Sequence, residues 1–291
     1  MKIKSKLNKS DYIQISKLFS TASFNSFASQ DEEKINTIVN TFKEYCIDYH
    51  EFTLAQAYVT FYKLLAKKYK NEYVYKNIVL KDIILKNHHI KDCITIPEFN
   101  VNKSKADLAV FNGTSTVYEI KSEIDSTDRL KSQMSDYESF FEFLNVVISQ
   151  RHLSKVKRIV PFAVGIYVLD DKCKIILERE ATSNLSNITH KSLFYALRKP
   201  EYLYIIERKF GYIPKIPNTQ IFAYCYGLFC SIEIEEAHNL VIEALRLRQF
   251  KDEQINLISL LPESLKPISF TKRYNKSNCD NIINSLKILH N

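Results

Sequence analysis

Asp107, Glu119 and Lys121 stand close together in the chain, and their types suit one kind of chemistry. Two carboxylates offer the oxygen ligands that a hard cation such as Mg2+ prefers, while leaving room for bound water. A cation held this way lowers the pKa of its water and neutralises charge on a phosphate undergoing displacement. An ammonium beside it can orient the attacking water or stabilise the negative charge that develops. The plainer alternative is a solvated strand face lined with charge, which arises readily where 25% of residues are charged.

The elements that must position these three side chains follow from the flanking pattern. Residues 106–111 (ADLAVF) and 116–121 (TVYEIK) are β-branched or aromatic runs around Asn112-Gly113, a strong hairpin signal. Strand side chains alternate faces, so Glu119 and Lys121 must point the same way. Asp107 joins them only if the loop holds an odd number of residues, such as Asn112-Gly113-Thr114; an even loop sends it to the other face unless a bulge intervenes. After Lys121, Leu130, Met134, Tyr137, Phe141 and Leu144 recur at helical spacing, with Asp125 or Ser126 as the expected N-cap. The apolar run NVVIS follows as a buried strand, completing a βαβ unit whose helix holds Arg129 and Gln133 near the charged end of the hairpin.

This segment resembles the PD-(D/E)XK nuclease superfamily, most closely a bacterial family of unknown function named for an sce locus. The similarity rests on EYVYKN at 72–77, the glutamate of PEF at 98, KADLAVFNGTSTVYEIKSEIDS at 105–126 and RLKSQMSDY at 129–137, and it covers roughly residues 70 to 180. The resemblance implies that Asp107 and Glu119 ligate Mg2+ (or Mn2+), with the backbone carbonyl of Ile120 as a further ligand. It implies that Lys121 positions or activates water, that Glu72 on the first core helix completes the set, and that Gln133 assists. One departure is that Ala106 stands where the family pattern has proline. The superfamily also includes members that have lost catalysis.

The remainder of the chain sets bounds. A length of 291 residues allows one large domain or two smaller ones with a substantial core. A net charge of +8 favours an anionic partner, although Lys-rich chains are often simply basic; DNA as that partner is what the resemblance implies. Only four glycines occur and no phosphate-cradling loop or dinucleotide fingerprint is present. The N-terminus lacks an apolar segment after its charges, and no run is long enough to span a bilayer, so a cytoplasmic protein without a membrane partner is expected. The six cysteines are scattered; Cys225 and Cys230 fit neither zinc nor cluster spacing, and reduced thiols are expected. Nothing in the residues sets the oligomeric state, which leaves a homodimer open.

Periodicity predicts helices near residues 11–19, 31–49 and 54–70, with a polar loop at 26–30, and then a core helix from 72. CITIPEFNV reads as an edge or bulged strand because Pro97 interrupts it. RHLSKVKRIV offers Arg151, Lys155, Lys157 and Arg158, together with Arg129, as contacts to a nucleic-acid backbone. FAVGIYVL and KCKIIL form a second hairpin about Asp170-Asp171. Beyond residue 182 the pattern turns helical. The helices carrying Arg198, Lys199, Arg208 and Lys209 could act as a helix-turn-helix reader, though packing is the better reading. The tail 264–281 is polar and basic and reads as a loose arm before a final short helix.

The expected fold is thus α/β. A restriction-endonuclease-like core at 71–181, a mixed sheet in αβββαβ order, lies between helical segments at 1–70 and 182–291. The expected function is Mg2+-dependent hydrolysis of DNA phosphodiester bonds. The alternatives are a catalytically silent nuclease fold that binds nucleic acid or regulates a partner, and an interaction scaffold.

Overall fold

Strands rich in β-branched residues at the centre of the chain build a six-stranded mixed sheet, seen in a computed structural model that describes residues 2–48 and 51–290. The strands are β1 (Ile94–Val101), β2 (Ser104–Phe111), β3 (Ser115–Lys121), β4 (Phe143–Ser149), β5 (Gly165–Leu169) and β6 (Ile175–Arg179), and they lie side by side in chain order. β1, β2 and β3 form an antiparallel meander, β3–β4 and β4–β5 are parallel, and β6 returns antiparallel to β5.

The principal helices are numbered in chain order. Five precede the sheet: α1 (Lys9–Lys17), α2 (Thr21–Ser29), α3 (Glu32–Glu44), α4 (Leu54–Lys68) and α5 (Glu72–Ile78). Two lie within it, α6 (Leu130–Glu138) between β3 and β4 and α7 (Leu153–Ile159) between β4 and β5. Six follow: α8 (His190–Tyr195), α9 (Lys199–Phe210), α10 (Asn218–Phe229), α11 (Ile234–Leu245), α12 (Asp252–Leu260) and α13 (Lys276–Lys287). The run α5-β1-β2-β3-α6-β4 realises the αβββαβ order, and β5 and β6 widen it.

The alternation of side chains divides the core between the two faces of the sheet. Leu108, Val110, Tyr118, Ile120 and Val147 face α1–α5 and the C-terminal helices α12 and α13. Ala109, Phe111, Val117, Val146, Ile148 and Ile166 face α6, α7 and α8–α11. The three stretches of sequence therefore share two hydrophobic clusters. Two further links join these stretches: Leu289 and His290 pair with Thr53 and Phe52, tying the two helical segments to each other, and buried Ser115 in the hairpin bonds His238 of α11 at 2.7 Å. Burial pushes the His238 pKa down to about 4, so this Ser–His contact is a neutral structural link.

Three local expectations are corrected. The stretch 26–30 belongs to α2, because Ser20 caps that helix and Phe24, Phe27 and Ala28 are buried. α6 starts at Leu130 without a side-chain cap; Asp125 instead accepts from the Ser122 N–H (2.8 Å) and Oγ (2.6 Å), closing a turn ahead of the helix. The tail is packed: Leu265, Ile268, Phe270 and Tyr274 are buried among α2, α5 and α12, spaced too widely between polar residues to show as a periodic face. Among the described residues no helix is long and apolar enough to cross a membrane, and all six cysteines are free.

Candidate functional site

The hairpin decides whether the charged triplet meets. Its register pairs Leu108 with Tyr118 and Phe111 with Ser115, leaving the three-residue loop Asn112-Gly113-Thr114. Gly113 has φ +97, a region that side chains rarely adopt, and the Asn112 N–H reaches the Thr114 carbonyl at 3.2 Å. The odd count carries Asp107 to the level of Glu119, on the same face. There the strands part, and the Ile120 N–H donates to Asp107 Oδ2 at 2.7 Å in place of a ladder bond.

Glu119 is 1% exposed, yet every oxygen of its carboxylate is engaged. Oε1 accepts from Lys121 Nζ (2.7 Å) and Gln133 Nε2 (2.5 Å), and Oε2 accepts from the Tyr137 hydroxyl (2.8 Å). Gln133 and Tyr137 lie one turn apart on α6, whose apolar face is buried on the sheet by Leu130 and Met134. Packing thus aims both donors at the carboxylate. Tyr137 holds its proton firmly, since burial and then the Glu119 charge raise its pKa far above the usual value.

From the other side of the sheet, α5 brings Glu72 and Lys76. Lys76 Nζ lies 2.6 Å from Glu72 Oε1 and 3.8 Å from Asp107 Oδ1. Burial works against the Lys76 charge, but Asp107 and Glu72 outweigh it and hold its pKa above the usual range. Asp107 goes the other way from most carboxylates. Burial first, then the Glu119 charge, push its pKa up to about 8 in spite of Lys76.

These groups line a cleft of about 280 Å3 whose walls include Glu72, Asp107, Glu119, Ile120, Lys121 and Gln133, with Lys105 and Arg129 at its basic rim. The structure brings together all the residues expected from the triplet and its supports. It leaves four expected phosphate contacts outside that wall. Arg151 lies just before α7 with its Nε 3.4 Å from His152, and Lys155, Lys157 and Arg158 lie on α7. Lys155 pairs with Asp128 at 2.9 Å, Lys157 pairs with Glu178, and Arg158 bonds its own helix at the Ser154 carbonyl. Glu98 turns outward to Lys105 (3.2 Å) from a left-handed backbone position at φ +54. Two residues of the site were not singled out by pattern. Lys76 reads as an ordinary i,i+4 partner of Glu72, and Tyr137 as one more member of an apolar face.

Whether this donor set suits a hard cation can be tested on its own atoms. Among the described residues no cluster of three or more His, Cys, Asp or Glu side chains is gathered as for a preformed metal cage. The donors are nevertheless oxygens, and burial first, then the Glu119 charge, oppose ionisation of Asp107 in a way that Lys76 does not cancel. Gln133 Oε1 is buried without a hydrogen-bond partner, an acceptor left for something not supplied by the chain. Two carboxyl groups side by side and an orphaned amide oxygen fit a hard cation that completes its shell with water.

The family model for bacteriophage P4 protein cII matches residues 66–269, well over half of the chain and all of the cleft. The chain belongs to the bacteriophage P4 protein cII family. Among curated proteins, Protein cII of Enterobacteria phage P4 is 30% identical over 120 residues, covering 39% of this chain and 46% of that relative. The chain thus spans less than half of that cII protein's length in the alignment. No solved structure matches. Within this cII-family chain, the matched segment begins at the end of α4 and so takes in Glu72, Lys76, the hairpin and α6 together.

Proposed function

We propose that this chain is a Mg2+-dependent nuclease of the PD-(D/E)XK type that hydrolyses DNA phosphodiester bonds. The observation that carries the reading is the convergence of Asp107, Glu119 and Lys121 on one cleft, with Lys121 Nζ 2.7 Å from Glu119. Asp107 and Glu119 would hold the cation, with the Ile120 carbonyl and the half-exposed Glu72 as further oxygens, and Mn2+ could replace Mg2+. When bound, that ion would supply charge neutralisation at the phosphate and acidify water.

The chain's own groups have separate tasks. The Ile120 N–H fixes one Asp107 oxygen, and Tyr137 and Gln133 fix Glu119, so neither carboxylate must reorganise during the reaction. Lys121 orients the water that forms the new O–P bond and offsets the charge that grows on the phosphate as the bond to the leaving oxygen breaks. Arg129, exposed and lining the cleft, engages a neighbouring phosphate.

A second reading, a silent nuclease fold that binds nucleic acid, is favoured by Lys76. Its ammonium, between Glu72 and Asp107, is a protein-borne cation at the place a metal would claim. One assay separates the two readings. Purified protein is incubated with plasmid and linear DNA in Mg2+ or Mn2+, alongside Asp107→Ala and Lys121→Ala. Cleavage by the native chain that both folded variants lose supports the nuclease; salt-sensitive binding without cleavage in either metal supports the silent binder.

A further inference from the structure

Strand β1 is the open edge of the sheet, and a chain of cavities runs along it. A space of about 540 Å3 lies between β1, the α8–α9 junction and the segment after Phe270. It shares Asn100, Tyr195 and Ala196 with a second space of about 580 Å3 at one end. At the other end it shares Pro97, Glu98 and Thr271 with a third of about 330 Å3, which in turn shares Glu72 with the carboxylate cleft. Each is of a size that takes a small ligand or a nucleotide.

The charges along this edge are not balanced. Arg198, Lys272 and Arg273 line the 540 Å3 cavity, and none of the three forms an ion pair among the described residues. The acids nearby are already committed: Glu201 to Arg248 at 2.6 Å, and Glu98 to Lys105. Arg273 is stacked 4.1 Å over the Phe250 ring. Burial first, and then the neighbouring Arg198 and Arg248, pull its pKa down to about 10. At the junction with the next cavity stands Tyr195, 57% exposed, its ring braced edge-on by Phe222 and Tyr226. A cation-lined groove with a braced, exposed aromatic ring suits one polymer: a nucleic acid strand whose phosphates meet the arginines while an unpaired base stacks on the ring.

We infer that the β1 edge is a track for single-stranded nucleic acid, with Arg198, Lys272 and Arg273 binding its phosphates and Tyr195 stacking a base, leading to the carboxylate cleft. A duplex could meet the cations but could not offer a base face to Tyr195. Only the event at the cleft end rests on the nuclease reading; binding along the edge stands without it.

The test is fluorescence anisotropy of the full chain with a labelled single-stranded 20-mer in EDTA, so that no cleavage enters. Salt-dependent binding is expected. Arg198→Ala/Lys272→Ala, both at exposed positions, should weaken it about tenfold and flatten the log–log salt slope by about 0.7 for each phosphate no longer neutralised. Tyr195→Ala should weaken it about five- to a hundredfold, and Tyr195→Phe should restore it, with thermal melting confirming that each variant is folded. The inference is overturned if the strand does not bind, or if a duplex of equal length binds as well and Tyr195→Ala changes nothing. It is also overturned if inorganic phosphate or a mononucleotide competes as well as the strand, which marks a small-anion pocket. Loss of binding in Lys157→Ala/Arg158→Ala but not in the track variants would move the site to α7. A chain that binds the strand as described yet never cleaves would retire the nuclease proposal alone.

Discussion

Two buried carboxylates in this protein meet cations, and they do so in opposite ways. Glu201 and Arg248 face each other as a two-pronged pair, with Nε and Nη2 each 2.6 Å from a different carboxylate oxygen, and the remaining Nη2 contact goes to the Ala196 carbonyl. One charge answers one charge, and the pair holds α9 to the turn after α11. In the cleft, three acids (Glu72, Asp107, Glu119) share two ammonium groups (Lys76, Lys121), and a buried amide oxygen on Gln133 is left over. The first arrangement is closed and supports the fold. The second leaves a buried acceptor without a donor and a carboxyl group whose ionisation burial opposes, and both are what a bound cation could satisfy.

The widest separation between the two regions should come from breaking the closed pair. Arg248→Ala leaves Glu201 buried without its partner and should lower unfolding free energy by about 3–5 kcal/mol in denaturant titration. The double change Arg248→Met/Glu201→Leu should recover most of it, because paired removal also removes the cost of burying the charges. In the cleft the loss is cushioned. Lys121→Ala leaves buried Glu119 the donors Gln133 and Tyr137, so it should cost clearly less stability than Arg248→Ala while lowering DNA cleavage about 10²- to 10³-fold, the scale of losing one preorganised charge stabiliser. A large loss of stability in Lys121→Ala would make the cleft another structural pair.

The two regions should also part with pH. Asp107 holds its proton in the folded chain up to about pH 8, whereas an unfolded aspartate releases it near 3.8. Between those values the native state binds more protons than the unfolded one, so stability falls as pH rises. Below about pH 4 both states are protonated and the penalty disappears. Asp107→Asn keeps an oxygen for the Ile120 N–H and carries no charge. It should therefore match the native chain at pH 4 and exceed it by about 1–3 kcal/mol at pH 8, after allowing for solvent screening at a side chain that is 18% exposed. Millimolar Mg2+ should close the gap by stabilising only the native sequence. A gap that is constant across pH would argue against a burial-raised Asp107, and one that ignores Mg2+ would argue against a cation at this site.

How much of the molecule is legible in its residues differs between the hairpin and its surroundings. The hairpin is readable because its rules are local: alternation puts Glu119 beside Lys121, and an odd loop around Gly113 puts Asp107 with them. The support shell is only half readable. Gln133 can be placed on α6 from spacing, but a buried Tyr137 in an apolar stripe looks like core until its hydroxyl is seen to reach 18 residues back to Glu119. Lys76 is hidden because α5 packs on the opposite face of the sheet, and only the splay of β2 and β3 lets it reach Asp107. The tail misleads for a related reason. Its apolar residues follow no single period, since residues 264–274 turn through short helical pieces to wrap α5 and α12. Lys272 and Arg273 therefore read as part of a free arm, although they form a cavity wall.

The smallest expected effect bears most directly on what the cleft is for. Gln133→Leu removes one bond to Glu119 and also removes the orphaned Oε1. Losing the bond costs about 1–2 kcal/mol, and no longer burying an unpaired acceptor returns a similar amount. The net change in stability without metal should lie within about 1 kcal/mol of zero. If Oε1 is idle, Mg2+-induced stabilisation of the variant should equal that of the native chain. If the oxygen takes part in holding the cation or its water, the Mg2+ concentration needed for half the stabilisation should rise several-fold while the metal-free melt barely moves. A variant that melts far lower without metal would instead show that Gln133 belongs with Arg248, as a strut, and that the boundary between the closed and the open region lies elsewhere.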